Sequence, residues 1–379
     1  MSVATVADRQ WMAAALKLAA QGMYSTSPNP RVGCILVKDG EAIGEGWHQK
    51  AGEPHAEVLA LRAAGDNARG ATAYVTLEPC SHYGRTPPCA EGLVKAGVSR
   101  VVAAVCDPNP DVAGRGFQML REAGIEVVES CLEDQATAIN EGFMKRMRTG
   151  LPLVRMKLAM SLDGRTAMAS GQSQWITGPE ARRDVQRLRA QSCAVITGAD
   201  SVLIDNPSMT VRAEEAGLTI PVDLQRQPLR VIVDGEHRVN ASANIFAQAG
   251  DILIASRTTP TKPVERDADS GNLTYWAGEK SDRTDLSGLL RHLAEQGHNE
   301  ILVESGAQLA GAFVRAGLVD ELIVYCAPTI LGSDARPLLS LPIGDMAAQI
   351  RWRWQDVRMV GNDLRLTMRP ELQSSQDKA

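Results

Sequence analysis

The sequence contains little of what several classes of protein require. Its 379 residues include no apolar run of about 18 residues, the length that a membrane-spanning helix needs. Aromatic residues make up only 4% of the chain, the net charge is −5, and no run of lysine and arginine stands out. A wide nucleic-acid-binding surface, which needs basic and stacking side chains, is therefore not expected.

The seven cysteines are an odd number and lack the tight spacing of a disulfide framework, which is typical of a reducing compartment. The first 24 residues place Asp8, Arg9 and Lys17 among apolar side chains, which indicates an amphipathic helix rather than a secretory signal. We therefore expect a cytoplasmic protein. Five cysteines in apolar contexts are predicted to be small core residues: Cys34, Cys106, Cys131, Cys193 and Cys326.

The length of the chain is sufficient for two domains, each with its own core. Hydrophobic residues make up 44% and charged residues 22%, as in ordinary globular proteins. Glycine and proline in the segment Thr149–Pro152 predict a boundary there. We therefore predict domains at 1–149 and 150–370, followed by a polar tail at 371–379.

Both predicted domains alternate strand and helix patterns, which implies sheets covered by helices. In the first domain the patterns predict strands at 32–37, 41–47, 71–77, 100–106 and 125–129, and helices at 55–64, 89–96, 116–123 and 133–147. In the second they predict strands at 153–159, 194–197, 229–233, 251–255, 300–303 and 321–327, helices at 179–190, 285–295 and 308–316, and a closing hairpin at 352–368. The stretch 212–228 is predicted to be an exposed loop.

The most informative motif is His55-Ala56-Glu57, followed by Pro79-Cys80 and then Cys89. One imidazole and two thiolates can hold zinc and leave one tetrahedral position open, as catalytic zinc sites do. Water bound there becomes acidic enough to supply hydroxide at neutral pH, and Glu57 is placed to carry the proton. The order His-x-Glu, Pro-Cys, Cys is the signature of zinc nucleobase deaminases.

The spacing of the two cysteines departs from that signature, because eight residues separate them instead of two. The intervening donors Ser81, His82, Arg85 and Thr86 suit a polar or phosphorylated substrate. The competing interpretation makes the cysteines a redox or structural pair and His55 a surface residue.

Two residues of the first domain keep two interpretations each. Asn29, in Pro28-Asn29-Pro30, either hydrogen-bonds a ribose or ring group or belongs to a rigid turn. His48 faces either the pocket or solvent.

In the second domain, Glu304-Ser305-Gly306-Ala307 leads from a predicted strand into a helix, so backbone N–H groups would point at an anion. No GxGxxG fingerprint occurs there, so nucleotide binding and simple strand–helix packing both remain open.

Four charged residues of this domain also keep two interpretations. Lys157, a cation in an apolar run, holds the ribose or makes a structural ion pair. Arg189 and Arg212 suit a substrate phosphate but are equally compatible with surface charges. Asp205 orients ribose hydroxyls or donates a proton, or it only caps the turn before a proline.

Together these motifs resemble one family closely, the bifunctional riboflavin-biosynthesis deaminase/reductases. The resemblance covers nearly all of residues 8–370, and the eight-residue cysteine spacing is usual in that family. The matching segments are PNP at 28–30, HAE at 55–57, TLEPCSHYGRTPPC at 76–89, DPNP at 107–110, KLAMSLDGR at 157–165, SQWIT at 173–177, DNP at 205–207 and ESG at 304–306.

The resemblance implies an α/β protein with a cytidine-deaminase-like αβα domain and a dihydrofolate-reductase-like α/β domain. The first would deaminate 2,5-diamino-6-ribosylamino-4(3H)-pyrimidinone 5′-phosphate with zinc. The second would reduce the ribosyl side chain of the product to ribityl with NADPH. Family members are usually homo-oligomers, and their substrate is a small molecule rather than a nucleic acid or a membrane.

Position by position, the resemblance makes His55, Cys80 and Cys89 the zinc ligands and Glu57 the proton donor. It implies that the NADP site is lined by Ala159, Trp175, Ser201, Asp205, Gly235, Gly306, Ala307, Gln308, Leu309, Ala310, Gly311 and Ala312. It implies that the substrate site is lined by Ser173, Arg189, Met209, Arg212 and Glu304, and we add Lys157 to this group. Gly235 stands where the family often has serine, which removes a hydrogen bond worth about 1 kcal/mol.

Two other classes of protein share the zinc motif. A nucleic-acid-editing deaminase would need the basic and aromatic surface that this sequence lacks. A zinc-stabilised binding module would need a fourth protein ligand. His82 is the obvious nearby donor, and Glu57 would then have no task.

Overall fold

The computed structural model describes residues 3–83, 87–109, 112–266, 268–279 and 282–371. Its contacts divide the chain into two units. The first contains the residues up to Leu151 together with Pro221–Arg226, and the second contains Pro152–Ile220 and the residues from Gln227 onward. The division after Leu151 falls close to the predicted boundary after residue 149. Most of the predicted polar tail, 372–379, lies outside the described residues.

The first unit contains a five-stranded sheet in the order β2-β1-β3-β4-β5. Strand β1 is antiparallel to β2 and β3, whereas β3, β4 and β5 run parallel to one another. The elements are α1 (Val6–Gln21), β1 (Gly33–Lys38), β2 (Glu41–Trp47), α2 (Ala56–Ala64), β3 (Thr72–Val75), α3 (Cys89–Ala96), β4 (Arg100–Ala103), α4 (Arg115–Glu122), β5 (Glu126–Val128), α5 (Glu133–Ile139) and α6 (Glu141–Thr149), with 3₁₀ turns at Gly22–Tyr24 and Gly65–Ala68.

Helices cover both faces of this sheet, because successive side chains of a strand point to opposite sides. Cys34 and Leu36 of β1 belong to a buried cluster with α2, α3 and α4. Ile35 and Val37 belong to a second cluster with α1 and α6. The three-layer αβα arrangement therefore follows from the apolar run of β1, which is buried on both of its faces.

Two glycines of β2 allow the backbone of helix α2 to lie in direct contact with the backbone of the sheet. A Cβ at Gly44 would lie 2.3 Å from the carbonyl oxygen of Ala60, and one at Gly46 would lie 2.4 Å from that of Ala56. Both distances are far below van der Waals contact, so a side chain at either position requires α2 to move.

A buried carboxylate ties α1 to the sheet. Asp8 and Thr5 form a reciprocal capping box at the start of α1. The same carboxylate accepts hydrogen bonds from the Tyr74 hydroxyl and from two nitrogens of Arg100, at 2.9, 2.6 and 3.0 Å. The hydrogen-bonded Arg100 holds the pKa of Asp8 well below its usual range.

We expect Asp8→Asn to destabilise the first unit by roughly 3 kcal/mol at pH 7, because Arg100 then loses its buried partner. The pKa of Asp8 is lower in the folded protein than in the unfolded chain. Its contribution to the free energy of unfolding is therefore present above the unfolded pKa and is lost as pH falls. The difference in the free energy of unfolding between wild type and Asp8→Asn should therefore become smaller below about pH 4. Amide hydrogen exchange in α1 and β3 at pH 7 and pH 3 measures this. Asp66→Asn at the surface is the control, and a difference independent of pH would contradict the assignment.

The structure corrects three predictions. The single helix predicted at 133–147 is two helices, because the Asn140 side chain between them accepts from the Arg31 N–H and donates to the Arg31 carbonyl, at 2.8 Å each. Cys106, predicted to be in the core, is exposed. The stretch 212–228 includes a 3₁₀ turn at Val222–Leu224, and Ala216 and Leu224 within it are buried.

The second unit contains a nine-stranded sheet in the order β11-β10-β9-β8-β12-β6-β13-β16-β15. The seven strands from β11 to β13 in this order are parallel, and β16 and β15 close one edge as an antiparallel hairpin. Its strands are β6 (Leu153–Ser161), β7 (Arg165–Ala167), β8 (Ala194–Gly198), β9 (Leu229–Val233), β10 (Ile252–Ser256), β11 (Leu273–Ala277), β12 (Glu300–Val303), β13 (Glu321–Ala327), β14 (Arg336–Pro337), β15 (Trp352–Val360) and β16 (Asp363–Pro370).

The helices of this unit follow the parallel strands. They are α7 (Pro179–Gln191), α8 (Ala199–Asp205), α9 (Asn244–Ala247), α10 (Leu286–Glu295) and α11 (Ala307–Arg315), with a 3₁₀ turn at Ala268–Ser270 and another at Met346–Ala348. Strands β7 and β14 form a small separate antiparallel pair. Among the residues that the structure describes, no helix is both long and apolar enough to span a lipid bilayer.

Parallel strands bring their carboxyl ends to one edge of the sheet, which is where open α/β sheets bind ligands. At this edge β8 leads directly into α8, β9 leads into the turn at Asp234 and Gly235, and β12 leads through Glu304 to α11. The predicted cofactor positions Ser201, Gly235 and Gly306 therefore follow neighbouring strands.

Candidate metal centre and cofactor site

Three predicted metal ligands meet at the carboxyl edge of the first sheet. His55 is the N-cap residue of α2, Cys89 is the first residue of α3, and Cys80 lies in the loop after β3. The Nδ1 atom of His55 lies 3.7 Å from Sγ of Cys80 and 3.3 Å from Sγ of Cys89. All three ligand atoms lie within 4.8 Å of one another, and zinc–ligand bonds of about 2.0–2.3 Å require separations of this size.

The donor set fits zinc. One imidazole and two sulfur atoms are ligands that zinc prefers, and they would leave room for a further ligand on a bound zinc ion. A hydrogen bond from the Cys89 thiol and a further one from the Cys89 N–H at 3.2 Å lower the pKa of Cys80. The hydrogen bond to Cys80 raises the pKa of Cys89 and that of His55. The site therefore favours a thiolate at Cys80 before any metal is considered.

Glu57 lies beside these ligands in the first turn of α2 and is only 4% exposed. Burial raises its pKa to about 7, the nearby Cys80 adds to the effect, and His55 opposes it. The neighbouring Cys89 also opposes the rise in the pKa of Glu57. A carboxyl group with a pKa near neutrality can both accept and donate a proton at physiological pH, as a general acid–base catalyst must.

His48 lies on the inner side of the site rather than in solvent. Its side chain is 3% exposed, and its ring is perpendicular to that of His55 with centroids 5.5 Å apart. Nδ1 lies 3.2 Å from the carbonyl oxygen of Pro54, and Nε2 lies 3.0 Å from Nδ2 of Asn29. Because the amide nitrogen of Asn29 donates, Nε2 accepts and Nδ1 carries the proton. Burial lowers the pKa of His48, which favours this neutral form.

The sequence reasoning missed Glu78, a carboxylate two positions before Cys80. It is 3% exposed and accepts hydrogen bonds from the backbone N–H groups of Asp107, Gly114 and Gly116, at 3.1, 2.9 and 2.9 Å. The available signal was a charged residue between an apolar strand and a metal ligand, since a charge in that place needs partners.

The neighbourhood of Cys80 contains a second acidic residue. Burial raises the pKa of Asp107 to about 6, the Asn109 N–H opposes this, and the charges of Glu78 and Cys80 add to it. His82, the candidate fourth ligand, is exposed and does not belong to the described cluster of metal-ligating atoms. The predicted donors Arg85 and Thr86 lie outside the described residues.

A buried charge cluster occupies the second candidate site. Glu304, directly after β12, accepts hydrogen bonds from Nε and Nη2 of Arg189, at 2.6 and 3.1 Å. Nζ of Lys157, on the neighbouring strand β6, lies 4.0 Å from the same carboxylate. Burial raises the pKa of Glu304, but Arg189 and Lys157 outweigh it and lower the pKa overall. Burial lowers the pKa of Lys157.

The other two predicted substrate residues near this cluster differ in their surroundings. The Met209 sulfur lies 3.9 Å from Nη2 of Arg189, and the carbonyl oxygen of Thr210 accepts from Nη1. Arg189 is therefore largely occupied by protein groups. Arg212 lies at the surface, where it forms an ion pair with Glu215 at 3.1 Å.

Three predicted cofactor residues and the predicted substrate residue Ser173 form two hydrogen-bonded pairs. The Ser201 hydroxyl accepts from the Gly306 N–H at 3.1 Å, and the Ser173 hydroxyl donates to Asp205 at 2.7 Å. Three other predicted cofactor positions lie in different surroundings. Ala159 lies within β6 beside Tyr325, Trp175 is 69% exposed with the Arg182 guanidinium 4.5 Å above its ring, and the carbonyl oxygen of Gly235 accepts a hydrogen bond from Nε of Arg257 at 3.2 Å.

The start of α11 fits a phosphate group. Gly306 is its N-cap residue and provides no side-chain cap, so the N–H groups of the first turn, from Ala307 to Leu309, are directed outward from the helix. The Ser305 hydroxyl beside this turn is buried and has no hydrogen-bond partner among the described residues. Helix N-termini of this kind bind anionic oxygens, which suits a pyrophosphate.

Two family models match the chain. One is described as the RibD C-terminal domain and matches residues 152–366. The other is described as the cytidine and deoxycytidylate deaminase zinc-binding region and matches residues 5–105.

Curated relatives match over nearly the whole chain. The riboflavin biosynthesis protein RibD of Escherichia coli K12 is 52% identical over 94% of this chain and 98% of its own length. RibD of Haemophilus influenzae is 49% identical over 96% of this chain and 98% of its own length.

Solved structures also match throughout. Acinetobacter baumannii RibD superimposes with a TM-score of 0.89 at 49% identity, covering 97% of this chain and 99% of that one. A Thermotoga maritima diaminohydroxyphosphoribosylaminopyrimidine deaminase/5-amino-6-(5-phosphoribosylamino)uracil reductase has a TM-score of 0.84 at 31% identity, covering 96% of this chain and 99% of that one.

Proposed function

Because the chain belongs to the RibD family of riboflavin-biosynthesis enzymes, we propose that the family's two reactions occur at the two sites described above. The enzyme is a bifunctional deaminase and reductase. It removes an amino group by hydrolysis from 2,5-diamino-6-ribosylamino-4(3H)-pyrimidinone 5′-phosphate and then reduces the ribosyl side chain to ribityl. Zinc serves the first reaction and NADPH the second.

The deaminase assignment is carried by one observation, the three ligand atoms of His55, Cys80 and Cys89 within 4.8 Å of one another beside the buried Glu57. Zinc held there would supply an acidified water at neutral pH. Glu57 would take one proton from that water and pass it to the ring nitrogen, and it would then carry the remaining proton of the new hydroxyl group to the departing ammonia. Its proximity to Cys89 and its pKa of about 7 support this role.

For the reductase site we infer that Lys157, Arg189 and Glu304 form one wall of the substrate pocket. Two cations and one anion leave a net positive charge in a largely buried place, which attracts an anionic substrate. Lys157 is paired more loosely than Arg189, so its ammonium is the group available to a ribose hydroxyl or a phosphate. Ser173, Met209 and Arg212 are proposed to complete this pocket.

NADPH bound to this unit would supply the electrons for the reduction, and we propose that α11 holds its pyrophosphate. Within Gly306–Ala312, the N–H groups of Ala307 to Leu309 are directed outward, and the hydrogen bond between Ser201 and Gly306 fixes the start of the helix to α8. Ala159, Trp175, Asp205 and Gly235 are proposed as further cofactor contacts.

Metal removal tests the division of labour. We expect dialysis against a chelator to abolish ammonia release and to leave NADPH oxidation with the deaminated substrate unchanged, because the metal ligands all belong to the first unit. Metal content, ammonia release and NADPH oxidation are measured on the same sample, and readdition of zinc should restore deamination. The variant Cys80→Ser lacks one of the proposed ligands and should lose zinc. Its matched control is Cys193→Ser, which replaces a buried cysteine of the second unit and should retain zinc. Full deamination at zero zinc content would refute the proposed centre.

The alternative of a nucleic-acid-editing deaminase is not adopted, since the matched relatives extend through the reductase half of the chain. We infer that nucleic acid is not a partner and that the enzyme is cytoplasmic, in keeping with the absence of disulfide bonds among the described residues. We also propose a homo-oligomer. Edge strand β15 exposes Trp354, Val357 and Met359, an apolar surface suited to a second copy of the chain.

A further inference from the structure

The deaminase mechanism does not use Glu78, although this residue has one of the most heavily bonded carboxylates in the first unit. One oxygen accepts from the N–H groups of Gly116 and Phe117, at 2.9 and 3.4 Å. The other accepts from the N–H groups of Asp107 and Gly114 and from the Cys106 thiol, at 3.1, 2.9 and 3.0 Å. All five donors belong to the segment between β4 and the first turn of α4.

In this bonding pattern both side-chain oxygens act as acceptors. A carboxylate offers two oxygens that accept only, whereas the amide of glutamine offers one acceptor and one donor. In a glutamine at position 78, an NH₂ group would replace one of the two oxygens. That group would face backbone N–H groups, and two donors cannot hydrogen-bond to each other. The segment would therefore lose the hydrogen bonds to one of the two oxygens, although the size of the side chain would not change.

The anchored segment lies beside the metal centre. Strands β3 and β4 are adjacent and parallel, so the residues that follow them, Cys80 and Asp107, emerge at the same edge of the sheet. Asp107 is close enough to Cys80 and His82 for their charges to act on it. The backbone N–H of Asn109 donates to the Asp107 carboxylate at 2.9 Å, so the Asp107 side chain is held to the backbone of the same segment.

A second contact, between the backbone of α4 and the loop that carries Cys80, also fixes the position of the segment. A Cβ built on Gly116 would lie 2.0 Å from the carbonyl oxygen of Pro79, the residue directly before Cys80. The first turn of α4 thus touches the ligand-bearing loop with no room for a methyl group.

We propose that Glu78 is a positioning residue of the deaminase site, which fixes the segment carrying Asp107 and Asn109 relative to Cys80 and so shapes the wall that receives the pyrimidine. The proposal rests on the metal centre proposed above. It assigns no proton transfer to Glu78. Its effect reaches the substrate only through the segment that it anchors.

Glu78→Gln in the full-length enzyme tests this. We expect zinc content to remain stoichiometric, kcat/KM for ammonia release to fall about 10- to 100-fold through a higher KM, and NADPH oxidation to stay unchanged. Gly116→Ala, which leaves the carboxylate in place but displaces α4 from Pro79, should give the same KM defect. Glu122→Gln, at the exposed end of α4, is the matched control and should match wild type.

The outcomes are distinguishable. If Glu78 had a purely structural role, the rate of ammonia release would fall in proportion to zinc content and KM would equal that of wild type. This result in both variants would overturn the proposal. If Glu78→Gln fails to fold, Gly116→Ala decides the question alone. If wild type itself shows no zinc-dependent deamination, the proposed metal centre fails rather than the role of Glu78.

Discussion

Replacing Glu57 with glutamine is expected to reduce deamination by about 10²- to 10⁴-fold, the contribution of a positioned general acid–base group. The amide keeps the size of the side chain but can no longer take up and return a proton. Zinc binding should persist, because the three ligand atoms belong to His55, Cys80 and Cys89. The measurements are ammonia release at saturating substrate, metal content and NADPH oxidation on one preparation.

The control for this variant is Glu91→Gln, on the exposed side of α3, where the carboxylate pairs with Lys95. It should retain both activities. Two results would count against the assignment of Glu57. Retained deamination would show that another group carries the proton, and loss of zinc together with activity would show that the carboxylate is a ligand.

Replacing Glu304 with glutamine is expected to abolish the reductase reaction and to destabilise the second unit. Arg189 and Lys157 would remain largely buried without a counter-charge, and removing one member of a buried ion pair costs about 3–5 kcal/mol. NADPH oxidation should become undetectable while deamination continues below the unfolding temperature. Hydrogen exchange in β6 and β12 measures the loss of stability, with Glu295→Gln on the surface of α10 as the control.

A double variant separates the two effects of Glu304. Adding Lys157→Met to Glu304→Gln removes one of the stranded cations, so part of the lost stability should return. Activity should not return, since the proposed pocket then has neither group. Recovery of NADPH oxidation in the double variant would show that the cluster only stabilises the fold.

The metal centre could be predicted from the sequence because its chemistry is local. His55 and Glu57 share one helix start, and the two cysteines stand at fixed positions around β3 and α3, so motif and structure coincide. Most strands of both sheets were predictable for a similar reason, since they are short apolar runs between turn residues.

What the sequence did not reveal depends on contacts between distant positions. The break at Asn140 is made by Arg31, 109 residues away, and a helical pattern contains no sign of it. The anchoring by Glu78 depends on backbone N–H groups, which no side-chain motif records. Pairing of Arg189 with Glu304 spans 115 residues, so the sequence offered only a phosphate ligand or a surface charge for Arg189 and did not predict the ion pair.

Some elements were missed because their own signal is weak. Strand β11 lies at the edge of the second sheet and is only partly buried, so its apolar pattern is diluted. Helix α8 has seven residues, too few for a clear period of 3.6.

The backbone contact between β2 and α2 makes the catalytic geometry depend on residues without chemistry of their own. Gly44 and Gly46 lie against the carbonyls of Ala60 and Ala56, on the helix that carries Glu57 and begins at His55. The absence of a side chain at these two positions therefore lets α2, and with it Glu57 and His55, lie where it does against the sheet. As sequences of this enzyme diverge, both positions are expected to tolerate as little change as the ligands themselves.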